Sequence, residues 1–184
     1  KVLLSLNRQD FWDPRPGLGL LRGGRFRSLL EELLPVRSFE DCRWPLAVSV
    51  YDAVSRQTRV IDSGPLAPAI HASCAVPFLF QPVWMKGRPL FDGGVAHQHG
   101  LAGLSASPRI LYHHLASRSP WRRKGSQALQ LPSRDGTVSL VVKDVPRLGP
   151  FRLAIGAAAL SRTRQAVRRA FEQPICGGKV EVQA

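Results

Sequence analysis

The stretch from Leu66 to Gly94 constrains the fold more tightly than any other part of this sequence. Leu66 to Ala75 is a helix by composition, and Pro77 stops it, because proline cannot continue the hydrogen-bond ladder. Phe80-Gln81-Pro82-Val83 follows as an apolar turn. Pro89-Leu90-Phe91 is then a short strand that runs directly into Asp92-Gly93-Gly94. The order leaves a carboxylate at a strand end, followed by two residues with no side chain to crowd it.

The flanking segments extend this into alternating strands and helices. Pro14-Arg15-Pro16-Gly17-Leu18-Gly19 is a loop of turn-forming residues. Gly23-Gly24 opens an amphipathic helix from about Arg25 to Leu34, with Phe26, Leu29, Leu30 and Leu33 on one face and Pro35 ending it. Ser38 with Asp41 reads as a short capping turn. A strand follows at Pro45-Leu46-Ala47-Val48-Ser49-Val50-Tyr51, and Arg59-Val60-Ile61-Asp62 is its hairpin partner. Ile110 to Leu115 and Val138 to Val142 are further strands. The last element, Phe151 to Phe171, is a helix in which Leu153, Ala157, Leu160, Val167 and Phe171 share a face; Arg164 interrupts it, and Arg152, Arg162, Arg168 and Arg169 lie largely elsewhere. The fold class is therefore α/β. A chain of 184 residues fits one domain, divided here into a core over 1–116, a basic loop over 117–135, and a C-terminal strand and helix over 136–184.

Charge is the one compositional anomaly. Lys and Arg number 26 against 13 Asp and Glu, and residues 93–184 hold 14 basic and 4 acidic groups, so +10 of the net +13 lies in that half. A basic half suggests nucleic acid or an anionic membrane surface as partner. A GC-rich coding sequence yields the same bias with no partner, since 21 of the basic residues are Arg and Ala, Gly and Pro are plentiful. The three cysteines, Cys42, Cys74 and Cys176, have no metal or redox spacing and read as packing thiols in a reduced compartment. Apolar runs are too short to span a bilayer. The expected location is cytoplasmic, at most peripheral to a membrane, with Trp121, Arg122, Arg123 and Lys124 as the interfacial contact.

The whole ordered string resembles the patatin-like phospholipases, the serine lipid acyl hydrolases. Members have a helix of the form A-I-x-A-S-x-A-x-P, an apolar F-x-P-V turn, and a short strand ending in D-G-G or D-G-A. This chain has Ala69-Ile70-His71-Ala72-Ser73-Cys74-Ala75-Val76-Pro77, then Phe80-Gln81-Pro82-Val83, Gly87 and Asp92-Gly93-Gly94. The strand ending at Asp52 and the Gly64-Pro65-Leu66 step also fall where the family has them. The resemblance covers roughly 20–100 and, less specifically, the tail from Leu148-Gly149-Pro150. It implies a three-layer α/β fold around a central, mostly parallel sheet. It also implies acyl ester hydrolysis by a Ser–Asp dyad with no cofactor or metal, acting on a lipid or other acyl ester. In that chemistry the serine sits in a G-x-S-x-G nucleophile elbow, and the aspartate of the D-G-G segment is the general base. By this match Asp92 is the base, supported by Gly93 and Gly94.

The departures are as informative. No G-x-S-x-G occurs in these 184 residues; Gly103-Leu104-Ser105-Ala106-Ser107 is the nearest imitation, and it follows Asp92 instead of preceding it. The glycine-rich oxyanion segment of the family is absent as well. Lys1 to Asn7 reads as the end of a helix begun upstream, so the expectation is a chain whose N-terminal part is missing and which is inactive alone. His97-Gln98-His99 and His113-His114 lack a carboxylate or Cys partner at usable spacing, so no metal is expected. Cys74 lies in a helix and not at an elbow. The rival reading is a non-catalytic basic module that meets nucleic acid or anionic lipid through Arg118 to Lys124 and the final helix.

Overall fold

In chain order the elements are β1 (Gly19–Leu21), α1 (Gly24–Leu33), β2 (Val48–Asp52), β3 (Gln57–Ile61), α2 (Leu66–Ser73), β4 (Phe78–Phe80), β5 (Val83–Met85), β6 (Arg88–Asp92), β7 (Ile110–Ala116), β8 (Thr137–Lys143), α3 (Gly156–Ala170) and β9 (Lys179–Gln183). This computed structural model describes residues 7–96, 99–104, 109–116, 130–146 and 155–184. Two compact units hold them, 7–105 and 106–184. The fold is α/β. The expected helix end before Asn7, residues 117–129 of the expected basic loop, and Leu153 with Arg152 lie outside the described residues.

In the first unit β1 and β4 pair in parallel, and β3-β2-β6-β5 form an antiparallel sheet. The β2–β3 hairpin runs from Val48 opposite Ile61 to Asp52 opposite Gln57. Its turn is organised by Asp52, whose side chain is fully buried. One carboxylate oxygen accepts the Val54 and Ser55 N–H groups at 3.0 and 3.2 Å, and the other accepts Arg88 at 2.9 Å and Arg59 at 3.3 Å. Burial alone would raise the Asp52 carboxyl; the Ser55 and Val54 N–H groups and Arg88 outweigh it and hold the carboxyl at about 2. Arg88 opens β6, so this cluster ties β6 to β2 in a register that sets Leu90 opposite Asp52 and Asp92 opposite Val50.

β5 and β6 are joined at Lys86-Gly87, both with positive φ, 49° and 74°, the geometry of a two-residue hairpin turn. α2 lies against this sheet through its smallest residues. Ala69 and Ala72, with Ala75 just beyond the helix, are fully buried, and Val50, Val83 and Leu90 complete the cluster around Ala72 and Ala75. Alanine on that face lets the helix axis approach the strands closely. α1 packs on α2, and its N-terminus is capped from a distance: Asp13 accepts the Gly23 and Arg25 N–H groups at 3.0 and 3.1 Å, satisfying donors the helix cannot. Gly23 is required twice, by a φ of 83° and because a Cβ there would lie 2.3 Å from the His71 ring.

The second unit is a parallel sheet in the order β7-β8-β9, with α3 connecting β8 to β9 and packing on both. Leu140 and Val142 of β8 and Val180 and Val182 of β9 meet Ala166 and Ala170 of α3. This corrects the inward face expected for the last helix. Ala157, Leu160 and Phe171 are exposed, the buried side is Ala159, Ala166 and Ala170, and of the expected face Val167 alone among the described residues packs against this core. Side-chain hydrophobicity points to leucine and phenylalanine, but a helix seated closely on a valine-rich sheet takes alanine at the contact.

Candidate active site

Asp92 is the last residue of β6, and the chain leaves the strand there in a single 3-10 turn, Gly93–Val95. The Asp92 N–H donates to the Ala75 carbonyl at 3.0 Å, so the end of β6 is fastened to the turn that follows α2. The alanine helix and the aspartate are thereby joined directly, through the turn that follows the helix. Asp92 Oδ1 accepts the Gly94 N–H at 2.8 Å, and Oδ2 accepts no hydrogen bond among the described residues. The carboxyl is half-buried, and burial pushes it above the ordinary aspartate value against a smaller opposing pull from the Gly94 N–H. A carboxylate with one oxygen held and the other open, and with raised basicity, is suited to taking a proton.

The two glycines serve different purposes. A Cβ on Gly93 would come within 2.5 Å of the Ser49 carbonyl oxygen, so this glycine permits the turn to cross directly against β2. A Cβ on Gly94 would press on Asp92 Oδ1 at 3.1 Å. Only the second is the crowding expected from sequence. Asp92 opens onto a shallow cavity of about 290 Å³ lined also by Val48, Ser49, Ser73, Gly93 and Gly100. Ser49 and Ser73 are lining residues the sequence reading did not assign to the site. Ser73 donates its hydroxyl to the Ile70 carbonyl at 2.9 Å, as a helical serine commonly does.

Cys74 is the C-cap of α2 and not a residue inside the helix. Burial pushes its thiol up, a contact with Ser73 opposes this, and the Asp92 charge adds to the rise. Such a thiol is a poor nucleophile. His113 and His114 are neighbours on β7 and therefore project to opposite faces, the first exposed and the second buried beside Tyr112, so they cannot hold one ion together. Among the described residues no three His, Cys, Asp or Glu side chains converge. His97, Ser105, Ser107 and the expected membrane contacts Trp121, Arg122, Arg123 and Lys124 lie outside the described residues. No helix among the described residues is long and apolar enough to cross a membrane.

The alanine helix, the fastened turn and the open carboxylate before two glycines all lie within one stretch of chain, and that stretch falls inside a family match. The model of the patatin-like phospholipase family matches residues 1–104, more than half of the 184, and the chain belongs to that family.

Proposed function

We propose that this chain contributes the general base of a Ser–Asp lipid acyl hydrolase, Asp92, and that the nucleophilic serine comes from polypeptide outside these 184 residues. The family is one of lipid acyl hydrolases. The observation that supports Asp92 in particular is its unoccupied Oδ2 at the mouth of the cavity, on a carboxyl that burial makes more basic. A serine hydroxyl brought within hydrogen-bond distance gives up its proton to Oδ2 as its oxygen attacks the ester carbonyl. The tetrahedral intermediate then expels the alcohol, which takes the proton back. Water, deprotonated by the same carboxylate, then adds to the acyl-serine carbonyl; the bond to the serine oxygen breaks, that oxygen takes the proton back, and the carboxylic acid is released.

The experiment separates this role from a structural one. The 184-residue chain alone should show no serine-type esterase activity and no labelling by a fluorophosphonate. Combined with a segment that supplies G-x-S-x-G, it should hydrolyse a short acyl ester. Asn in place of Asp92 keeps the oxygen that accepts the Gly94 N–H, since asparagine caps turns as well as aspartate does. It cannot take a proton, so Asp92→Asn should lower the rate by about a hundred- to ten-thousand-fold. Asp62→Asn and Asp135→Asn, both exposed and neither before Gly-Gly, should leave it near normal. Near-normal turnover in a folded Asp92→Asn variant would remove the assignment.

A further inference from the structure

The side of α3 turned away from β8 and β9 carries two large apolar residues, Leu160 and Phe171, 52% and 74% exposed, and Ile175 just beyond the helix is 60% exposed. Leu160, Arg164, Arg168 and Phe171 follow one another at three- and four-residue steps, which places them along one side of the helix, whereas Val167 packs against the sheet. Two apolar residues therefore flank two cations on a single strip. No acidic residue occurs in Gly156–Ala170 to balance the arginines.

The arginines differ in what they already do. Arg169 donates to the Gln183 carbonyl at 2.6 Å and ties the helix to β9. Arg168 and Arg169 sit in the last turn, where a cation complements the helix dipole. Neither reason applies to Arg164, which stands mid-helix. Among the described residues the side chains of Arg162, Arg164 and Arg168 make no ion pair or hydrogen bond.

We propose that this face of α3 docks on an anionic membrane surface, with Leu160 and Phe171 entering the boundary between headgroups and acyl chains and Arg164 and Arg168 engaging lipid phosphates. The helix lies in the interface plane, with long arginine stems along the apolar side chains and their guanidinium groups reaching headgroup level. Charge complementarity selects this occupant. Residues 93–184 carry +10, so a second copy of the chain would bring like charge to like charge. A nucleic acid would satisfy the guanidinium groups, but its phosphate backbone offers nothing to an exposed leucine. An anionic bilayer satisfies both halves of the strip. The strip belongs to the unit of residues 106–184 and stands independently of the role of Asp92.

The test is flotation of the 184-residue chain with phosphatidylcholine vesicles, with and without phosphatidylglycerol. The chain should bind the mixed vesicles, bind the neutral ones far less, and lose binding as salt rises. Leu160→Ser with Phe171→Ser preserves charge, and Arg164→Gln with Arg168→Gln preserves the apolar pair; each double change should weaken binding about tenfold or more. The altered residues are exposed, so thermal melting should match the parent; Phe171→Ala alone, a milder change, should weaken binding in the same direction. Unchanged vesicle binding in the Leu160→Ser, Phe171→Ser chain overturns the proposal. So does duplex DNA that displaces the chain from vesicles and binds that variant as well as the parent, which would make this a nucleic-acid surface. A variant that turns a dimeric chain monomeric without altering vesicle binding would assign the strip to self-association and equally overturn it.

Discussion

An alanine at position 93 would bring its Cβ within 2.5 Å of the Ser49 carbonyl oxygen and 2.7 Å of the carbonyl carbon, and neither backbone atom can move without disturbing β2. At position 94 the nearest atom is Asp92 Oδ1 at 3.1 Å, the end of a side chain that can shift. Gly93→Ala should therefore destabilise the chain by about 1–3 kcal/mol, the range for forcing extra atoms into a packed site. Gly94→Ala should change stability by less than about 1 kcal/mol, and its effect should appear in the reaction instead. Urea unfolding of the two variants checks this, and equal losses would contradict it. At this scale the aspartate and its glycines were legible in sequence, because a carboxylate at a strand end before Gly-Gly is a local pattern. The reason for Gly93 was not legible, since it depends on which strand lies across from it.

Among the elements, the β2–β3 hairpin and the strands β6, β7 and β8 were readable from their runs of β-branched and apolar residues between turn signals. β1, β4 and β5 were not readable, for a physical reason. Three residues are too few to show a period, and these strands exist because neighbouring chain supplies partners: Gly19 opposite Phe78, Leu21 opposite Phe80, Val83 opposite Leu90. Phe78 even enters β4 with φ 67°, a conformation no propensity would assign to phenylalanine. β9 carries a signal that was there to use, Val180 and Val182 alternating with Lys179, Glu181 and Gln183, and its burial follows that alternation. For α3 the period was right, but of the expected face Val167 meets the core while Ala157, Leu160 and Phe171 are exposed. Ala166→Leu should cost about 1–3 kcal/mol by overfilling the contact with Val142 and Val182, whereas Leu160→Ser should stay within about 0.5 kcal/mol. Thermal melts of the two variants distinguish the faces, and the reverse ranking would restore the leucine face.

For the molecule as a whole, the clearest pH signature comes from a residue outside the proposed chemistry. His71 is 5% exposed, both ring nitrogens lack hydrogen-bond partners, and Phe26 and Phe80 meet it edge-on or nearly so. Burial lowers its pKa from 6.5 to about 4, the Arg27 charge adds to this, and Asp13 opposes it. The unfolded chain therefore takes up a proton at this histidine before the folded chain does. Stability from this group is intact above about pH 6.5 and falls as pH drops towards 4, by about 2 kcal/mol at pH 5. Asp52, held at about 2, adds a loss only at lower pH, below the ordinary aspartate value. His71→Leu should remove the first dependence and leave the second. Urea unfolding at pH 7 and pH 5, compared between the two proteins, measures it; an unchanged difference between the two pH values would show that His71 is not buried neutral. Sequence alone placed His71 inside the family helix but gave no hint of its burial, which depends on Gly23 approaching from another element.

The Asp52 cluster bears on how genetic data from this protein should be interpreted. Side chains on a strand alternate between faces, so a shift of β6 by a single residue would turn Asp92 away from the cavity. Asp52, gripping Arg88 at the start of that strand, works as an indexing pin for a carboxylate it never touches. If Asp92 is the base proposed above, a mutational scan scored on activity should find Asp52 as intolerant as Asp92 and tempt the reader to count two catalytic acids. A simultaneous readout of abundance separates the two: Asp52 variants should lose protein, whereas on the role proposed for Asp92, Asp92→Asn should lose only turnover.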